Sequence, residues 1–371
     1  MSTNKIRVGI IGVGGWATYG HLPALETLDS VEVVAVSSRS LEKAEQLAAE
    51  HGIAHAFDDY EQLVSHPDVD LVVVPAPAPE HAKLVKAAVA AGKDVYSEWP
   101  LTTSTADSEE LLALVEAAGV RHVVGLQRRF APSARYTIDL IEQGHIGDVR
   151  GVTMTVGVDA FGAELPARVA WVLDPAAFVN LLPVYLGHFG DLLFAAVGPP
   201  SRLSAVTENQ IPVVTLIGTG EQVPYPVPTE AMLIGTLARG GLFSIQLEGG
   251  QGTRKTGLQI VITGTKGALR ITNPRGFENT EDNAVERMVG EATSFSRLEV
   301  PAEYVSLPKN HLDASVQDVA YLYDAYANDV ANGTSTVSTF TDAVNLHRLL
   351  DQVTRASEEF FDHPENHTSW R

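Results

Sequence analysis

The chain has 371 residues, long for one hydrophobic core, so two domains are expected. Its 46 acidic residues outnumber 26 scattered basic ones for a formal net charge of −20, which argues against direct nucleic-acid binding and is read as a solubility feature. Hydrophobic residues make up 45% without an uninterrupted run of membrane-spanning length, Met1 to Lys5 lack a signal-peptide core, and the absence of cysteine excludes disulfides, thiolate metal sites and cysteine nucleophiles.

Ile6 to Ile11 predicts a buried strand, and Gly12-Val13-Gly14-Gly15-Trp16-Ala17 follows it directly. At a strand-to-helix junction this pattern predicts a dinucleotide-binding turn. The first glycine permits the tight turn, the second lets the backbone approach a pyrophosphate, and a small third residue, here Ala17, lets helix and strand pack closely. The N–H groups opening the helix then face the phosphates, which makes Gly12, Gly14, Gly15, Trp16 and Ala17 cofactor-contact candidates. The second strand, Val31 to Val36, runs into Ser37-Ser38-Arg39-Ser40, where an NAD site usually carries Asp or Glu for the ribose hydroxyls. Two hydroxyls and a guanidinium suit a 2′-phosphate, so NADP(H) is preferred over NAD(H). The bland alternative for Arg39 is a solvated residue opening the next helix.

Leu71 to Val74, Val95 to Ser97 and Val120 to Leu126 complete a set of apolar strands separated by helical segments, as a parallel sheet covered on both faces requires. Ligands of such sheets bind beyond the carboxyl ends of the strands. That rule selects Pro75 to His81, Glu98 to Leu101 and Gln127 to Phe130, with Pro75, His81, Glu98, Trp99, Pro100 and Arg128 as cofactor contacts. Pro75, Pro77 and Pro79 fit a cofactor wall and a simple rigid turn equally well. At least one of Arg128 and Arg129 is expected to face outward.

A helix over about Pro132 to Gln143 and a turn at Gly144 to Asp148 introduce a change of period. Phe243 to Glu248 alternates as a half-wet strand, and Thr265-Lys266-Gly267 joins Leu258 to Thr263 with Ala268 to Ile271 as a hairpin. The open face of such a sheet is solvated or used for self-association, and a homodimer or homotetramer is expected. A helix reading Val316, Val319, Tyr323, Tyr326 and Val330 is placed in this second domain, so the expected division is 1–127 and 128–371. Gly249 to Thr256 lacks the glycine before the lysine that a P-loop needs and is read as a hairpin or loop. The tail from Asp362 to Arg371 is expected to be loose.

The Gly-rich turn with His21-Leu22-Pro23-Ala24-Leu25, the Ala90-Ala91-Gly92-Lys93-Asp94-Val95 run ahead of Glu98-Trp99-Pro100, Arg128-Arg129-Phe130, Ile146-Gly147-Asp148 and Gly187-His188-Phe189-Gly190-Asp191 together resemble the Gfo/Idh/MocA oxidoreductases over nearly the whole chain. The resemblance implies a Rossmann doubly wound parallel sheet, a C-terminal α/β domain with an open, largely antiparallel mixed sheet, a nicotinamide cofactor, and reversible oxidation of a sugar, polyol or related hydroxyl at an interdomain cleft. Two departures stand out. Family dehydrogenases carry Glu-Lys-Pro with the lysine near the nicotinamide, whereas Trp99 occupies that place and cannot exchange a proton near neutral pH. The aspartate common four residues before the family histidine is Val184 here.

A rewired relay is one outcome, in which Tyr185, His188 and Asp191, spaced three apart, share a helix face and Asp191 holds the tautomer of His188. A structurally satisfied histidine is the other reading. Glu98-Trp99, Gly15-Trp16-Ala17 and Val179-Asn180-Leu181-Leu182 also resemble a branch containing the galactose-pathway repressors, dinucleotide-binding regulators without known turnover. Trp99 is equally compatible with a hydrophobic wall for a bulkier substrate. No metal is expected, since His188 and Asp191 lack a third ligand at suggestive spacing. The reading is therefore a cytoplasmic NADP(H)-dependent oxidoreductase for a small sugar-like substrate, with no nucleic acid or membrane as partner; the alternative is a non-catalytic, cofactor-sensing regulator of the same fold.

Overall fold

The computed structural model describes residues 5–252, 256–276, 281–308 and 311–362, and the contacts divide the chain into two units. The first comprises Met1–Gln127 with Leu307–His347, and the second Arg128–Ser306 with Arg348–Arg371.

In the first unit, β1 (Ile6–Ile11), β2 (Val31–Ser37), β3 (His55–Phe57), β4 (Leu71–Val74), β5 (Asp94–Ser97) and β6 (His122–Val124) form one parallel sheet ordered β3-β2-β1-β4-β5-β6. β4 is buried at every position, the mark of a strand covered on both faces. The short helix α1 (Leu22–Glu26) follows the glycine turn, and α2 (Leu41–His51), α3 (Tyr60–Ser65), α4 (Ala78–Ala90) and α5 (Thr105–Ala118) connect later strands. Their starts follow local chemistry. Asp59 accepts from the Glu61 N–H at α3, and Ser104 accepts from the Asp107 N–H at α5. The edge strand β3 is too short to show a period, which is why no strand is expected there from pattern alone.

In the second unit, α6 (Pro132–Glu142) precedes an eight-stranded mixed sheet. Its members are β7 (Val149–Gly157), β9 (Pro200–Glu208), β12 (Glu230–Leu237), β13 (Leu242–Glu248), β14 (Gly257–Gly264), β15 (Gly267–Asn273), β16 (Ala284–Val289) and β17 (Ser296–Leu298), ordered β17-β16-β15-β14-β7-β13-β12-β9. Within this sheet, only the β7–β13 pairing is parallel among the described residues. Thr263 pairs with Ala268 across the expected hairpin. One face of the sheet packs beneath α6 and α7 (Gly187–Val197), where Leu192, Leu193 and Ala196 meet Ile260, Ile262 and Ile271. The other face is open, with Leu242, Ile234 and Met232 exposed at 65%, 61% and 57%. A smaller sheet, β8 (Glu164–Pro166), β10 (Val213–Ile217) and β11 (Gln222–Pro224), encloses its own cluster of Leu173, Val214, Leu216 and Tyr225.

The structure corrects the expected division at one place. Helix α8 (Ala314–Asn332), assigned by sequence to the second domain, belongs to the first unit, because Tyr323 bonds His21 and Tyr326 bonds Asp94 there. The second boundary falls inside α9 (Phe340–Asp362). Pro175–Val197 is long and apolar enough to cross a membrane, but 72% of its apolar 18-residue window is buried inside the protein, as for a core helix. Residues 253–255 of the rejected P-loop and 363–371 of the tail lie outside the described residues.

Candidate functional site

The site residues fall into two groups, one in each unit. In the first unit, β1 delivers the chain to Gly12, whose φ of +115° belongs to glycine alone and whose N–H donates to Ser37 O at 2.8 Å. A Cβ on Gly14 or Gly15 would meet nothing within 4 Å, so no protein neighbour requires glycine there. Both are exposed, and the bare backbone they present is the surface that a pyrophosphate approaches. A nicotinamide dinucleotide therefore fits this cradle. Ala17 is buried. Trp16 departs from expectation: its ring lies back on Gly20, where a Cβ would come within 2.7 Å, and sits edge-on to His21.

At the end of β2, Ser37 is buried within the strand, which removes it as a contact for a 2′-phosphate. Ser38 is half-buried and its hydroxyl accepts from the Ser40 N–H at 3.3 Å, while Arg39 is exposed. Pro75 is half-buried in the turn after β4; Pro77 caps α4 and Pro79 lies in its first turn, where a missing N–H costs nothing.

His81 is corrected from a ligand contact to an interior residue between two turns. It is buried, its Nε2 lies 2.6 Å from Ala76 O, and its Nδ1 lies 3.0 and 3.2 Å from Pro100 O and Leu101 O. The ring sits between the turn after β4 and the turn after β5, and as a neutral imidazole its single N–H donates to one of them at a time. Burial lowers its pKa below the ordinary imidazole range against the pull of those carbonyls.

Glu98 is also corrected. Rather than pointing out of the carboxyl edge, its carboxylate reaches inward to the Tyr96 hydroxyl, which donates to Oε1 at 3.1 Å, and to His21 Nε2, 3.1 Å away but off the axis of a hydrogen bond. Gly125 leaves the room, since a Cβ there would stand 2.6 Å from Oε1. The opposite nitrogen, His21 Nδ1, lies 2.7 Å from the Tyr323 hydroxyl. Burial first, and the Glu98 charge second, push both Tyr96 and Tyr323 well above the usual phenol range, so both remain neutral donors. Sequence reasoning quoted His21 only as part of a motif and missed this cluster; no local period links positions 21, 96 and 323. Trp99 is 6% exposed with its ring 5.0 Å from His347, which contradicts a role as an open hydrophobic wall. The Trp99–Pro100 peptide is cis, and Pro100 is buried.

In the second unit, Arg128 is buried with its guanidinium 5.0 Å from the Phe189 ring, and the Arg129 side chain is only 19% exposed. Neither faces outward as expected. A widened helical turn, Leu182–Leu186, feeds α7 and buries Tyr185, His188 and Asp191. Tyr185 stacks on Phe189 at 6.1 Å, and Phe161 meets it edge-on at 5.6 Å. Asp191 Oδ2 lies 3.1 Å from Arg129 Nε, a charge pair by distance with the N–H directed off the oxygen. The expected pairing of Asp191 with His188 must therefore accommodate a guanidinium on the same carboxylate. Asp282 caps α6 through the Ser133 N–H at 2.8 Å and the Ser133 hydroxyl at 2.5 Å. Burial raises its carboxyl, opposed by these bonds and by the charge of Arg128.

Residues 6–126 match the sequence model of an oxidoreductase family with an NAD-binding Rossmann fold, and residues 132–273 match that of the Gal80p C-terminal domain. The chain is 29% identical over 370 residues to dehydrogenase aclE of Aspergillus oryzae, covering 96% of this chain and 97% of that protein. It is 30% identical over 301 residues to the galactose/lactose metabolism regulatory protein GAL80 of Kluyveromyces lactis, covering 74% of this chain but only 65% of that protein's length. The crystal structure of a super-repressor mutant of Gal80p from Saccharomyces cerevisiae superposes with a TM-score of 0.86 at 25% identity, covering 96% of both chains.

Proposed function

Because the chain belongs to the Gfo/Idh/MocA oxidoreductase family, in a branch resembling Gal80, we propose that it is a cytoplasmic NADP(H)-dependent oxidoreductase acting on a CH–OH group or the matching carbonyl of a sugar, polyol or related small molecule. The observation that carries this reading is the exposed backbone of Gly14 and Gly15 after β1, where no protein atom would meet a side chain. Gly12 shapes the turn, the backbone of Gly14 and Gly15 takes the pyrophosphate, and Ser38 with Arg39 takes the 2′-phosphate. An exposed guanidinium with no carboxylate in the adjoining Ser37 to Ser40 segment favours a phosphate over a bare ribose. When bound, the nicotinamide supplies or accepts the hydride. His188 exchanges the substrate proton in this reading, with Tyr185 and Asp191 as its positioning residues.

The experiment is near-ultraviolet absorbance of the purified protein with NADP⁺ or NADPH against sugars, polyols and their keto forms, after cofactor binding has been measured. Substrate-dependent change that His188→Ala abolishes supports the assignment, and Arg39→Ala should weaken NADPH relative to NADH by on the order of tenfold, the worth of one charge-assisted contact. Unchanged activity in His188→Ala would reject that residue as proton carrier. Equal loss for both cofactors in Arg39→Ala would reject the NADP(H) preference.

A second reading rests on Trp99. A residue without an exchangeable proton in the family lysine position, together with the Gal80p-type second unit, suits a regulator in which cofactor binding shifts the affinity for a partner. Tight cofactor binding with no absorbance change in either direction would favour it. For either reading we infer that a second copy covers the open sheet face in a homodimer or homotetramer, since Met232, Ile234 and Leu242 form an apolar patch there.

A further inference from the structure

At the amino ends of the first unit's strands, opposite in the sheet to the glycine turn, the chain brings together three ligand-bearing side chains that no local pattern connects. His55 opens β3, His66 caps the end of α3, and Asp68 follows in the turn to β4. Their ligand atoms all lie within 4.8 Å of one another; His55 Nε2 is 4.0 Å from Asp68 Oδ2, and the two imidazole centroids are 4.2 Å apart.

Two cations hold the turn that carries His66 and Asp68. Arg7 donates to Asp68 Oδ1 at 2.7 Å, to Pro67 O at 3.2 Å, and to Asp70 through Nε at 3.0 Å and a terminal nitrogen at 2.8 Å. Lys93 donates to His66 O at 3.0 Å and Val69 O at 2.7 Å. The Arg7 bond occupies Oδ1 of Asp68 and leaves Oδ2 toward His55. The Asp68 N–H donates to His66 Nδ1 at a long 3.2 Å, a bond that coordination at that nitrogen would replace. On the other side, Phe57 stacks against His55 with an interplanar angle of 14°.

We propose that His55, His66 and Asp68 bind one divalent transition-metal ion of the zinc, nickel or copper class, clipping β3 to the turn between α3 and β4. Two imidazoles and one carboxylate are the donor set these ions prefer, whereas magnesium and calcium take oxygen ligands. Metal–ligand bonds of about 2.0–2.2 Å require the three donors to close by roughly 1 Å from their present separation, within the reach of side-chain rotation. Three protein ligands leave a position for water. The turn is fixed in advance by Arg7 and Lys93, so the ion would order little beyond the side chains themselves.

The test uses the full chain stripped of metal, titrated with Zn²⁺ alone by calorimetry, with thermal unfolding followed in parallel. One Zn²⁺ per chain and a rise in Tm reversed by chelator are expected, and His55→Ala, His66→Ala and Asp68→Asn should each weaken binding at least about tenfold, since even outer partners of a metal site are worth roughly 10–100-fold. Co²⁺ bound to the unaltered chain gives a second measurement independent of variant folding: its visible spectrum should differ from the aqueous ion through the two imidazoles. Absence of Zn²⁺ binding, an aqueous Co²⁺ spectrum, or equal affinity in His55→Ala and His66→Ala from carboxylates elsewhere would each overturn the proposal.

Discussion

The two sheets of this chain solve opposite problems. In the parallel sheet of the first unit, Leu71, Val72, Val73 and Val74 are all fully buried, so neighbouring residues on both faces carry stability. In the mixed sheet of the second unit, Ala231 and Leu233 are buried while Met232 and Ile234, on the same strand, stand exposed. A two-faced core leaves only the strand ends for ligands, which is where the glycine turn lies. A one-faced core leaves a whole surface for a second copy. Sheet type thus decides which part of each unit is free for function.

Paired substitutions sharpen that contrast most. Leu233→Ala should cost about 2–5 kcal/mol in chemical denaturation, while Ile234→Ala should stay within about 0.5 kcal/mol when measured on dissociated protein. In β4, by contrast, Val72→Ala and Val73→Ala should both cost about 1.5–3 kcal/mol. Equal costs at Leu233 and Ile234 would break the comparison.

A backbone change tests the strand end itself. Gly12→Ala places a side chain at φ +115° and should cost about 1–3 kcal/mol while abolishing cofactor binding, read by denaturation and by titration of NADPH. Cofactor binding at full strength would show that the turn tolerates a different geometry.

The first unit should also be the acid-sensitive one through two histidines. Burial lowers the pKa of both His81 and His122. Each is therefore protonated more readily in the unfolded chain, where the imidazole value is about 6.5. Their stabilising contribution is full above that value and is lost as pH falls below it toward the lowered folded pKa, with a slope approaching about 1.4 kcal/mol per pH unit for each. Denaturation midpoints between pH 7.5 and 5.5 should fall, and His122→Gln should shallow the slope.

The smallest effect on stability and the sharpest on assembly is expected from Ile234→Lys. It should change the unfolding free energy of the single chain by no more than about 0.5 kcal/mol while shifting the sedimentation profile toward monomer. An unchanged profile would place any self-association elsewhere.

Much of this architecture was legible in the residues because its signals are local. Apolar runs marked β1, β2 and β4, the glycines marked the turn, and Phe243 to Glu248 marked a half-exposed strand. The candidate site was legible in address more than in role. Glu98, His81 and Trp99 do follow strands of the parallel sheet, yet each turns inward, because a side chain at a strand end faces solvent or interior according to what packs beside it. His21 with Tyr323, and His55 with His66 and Asp68, span separations that no periodicity encodes.

By itself, then, the sequence determined the parallel sheet, the phosphate turn and the change of period after residue 148, since backbone propensity and alternation act over a few residues. Only the tertiary structure decided that α8 returns to the first unit, that Glu98 and His81 serve the interior, and that Asp191 meets Arg129. Those outcomes depend on which distant groups share a buried space, where each polar atom must find a partner or keep its proton.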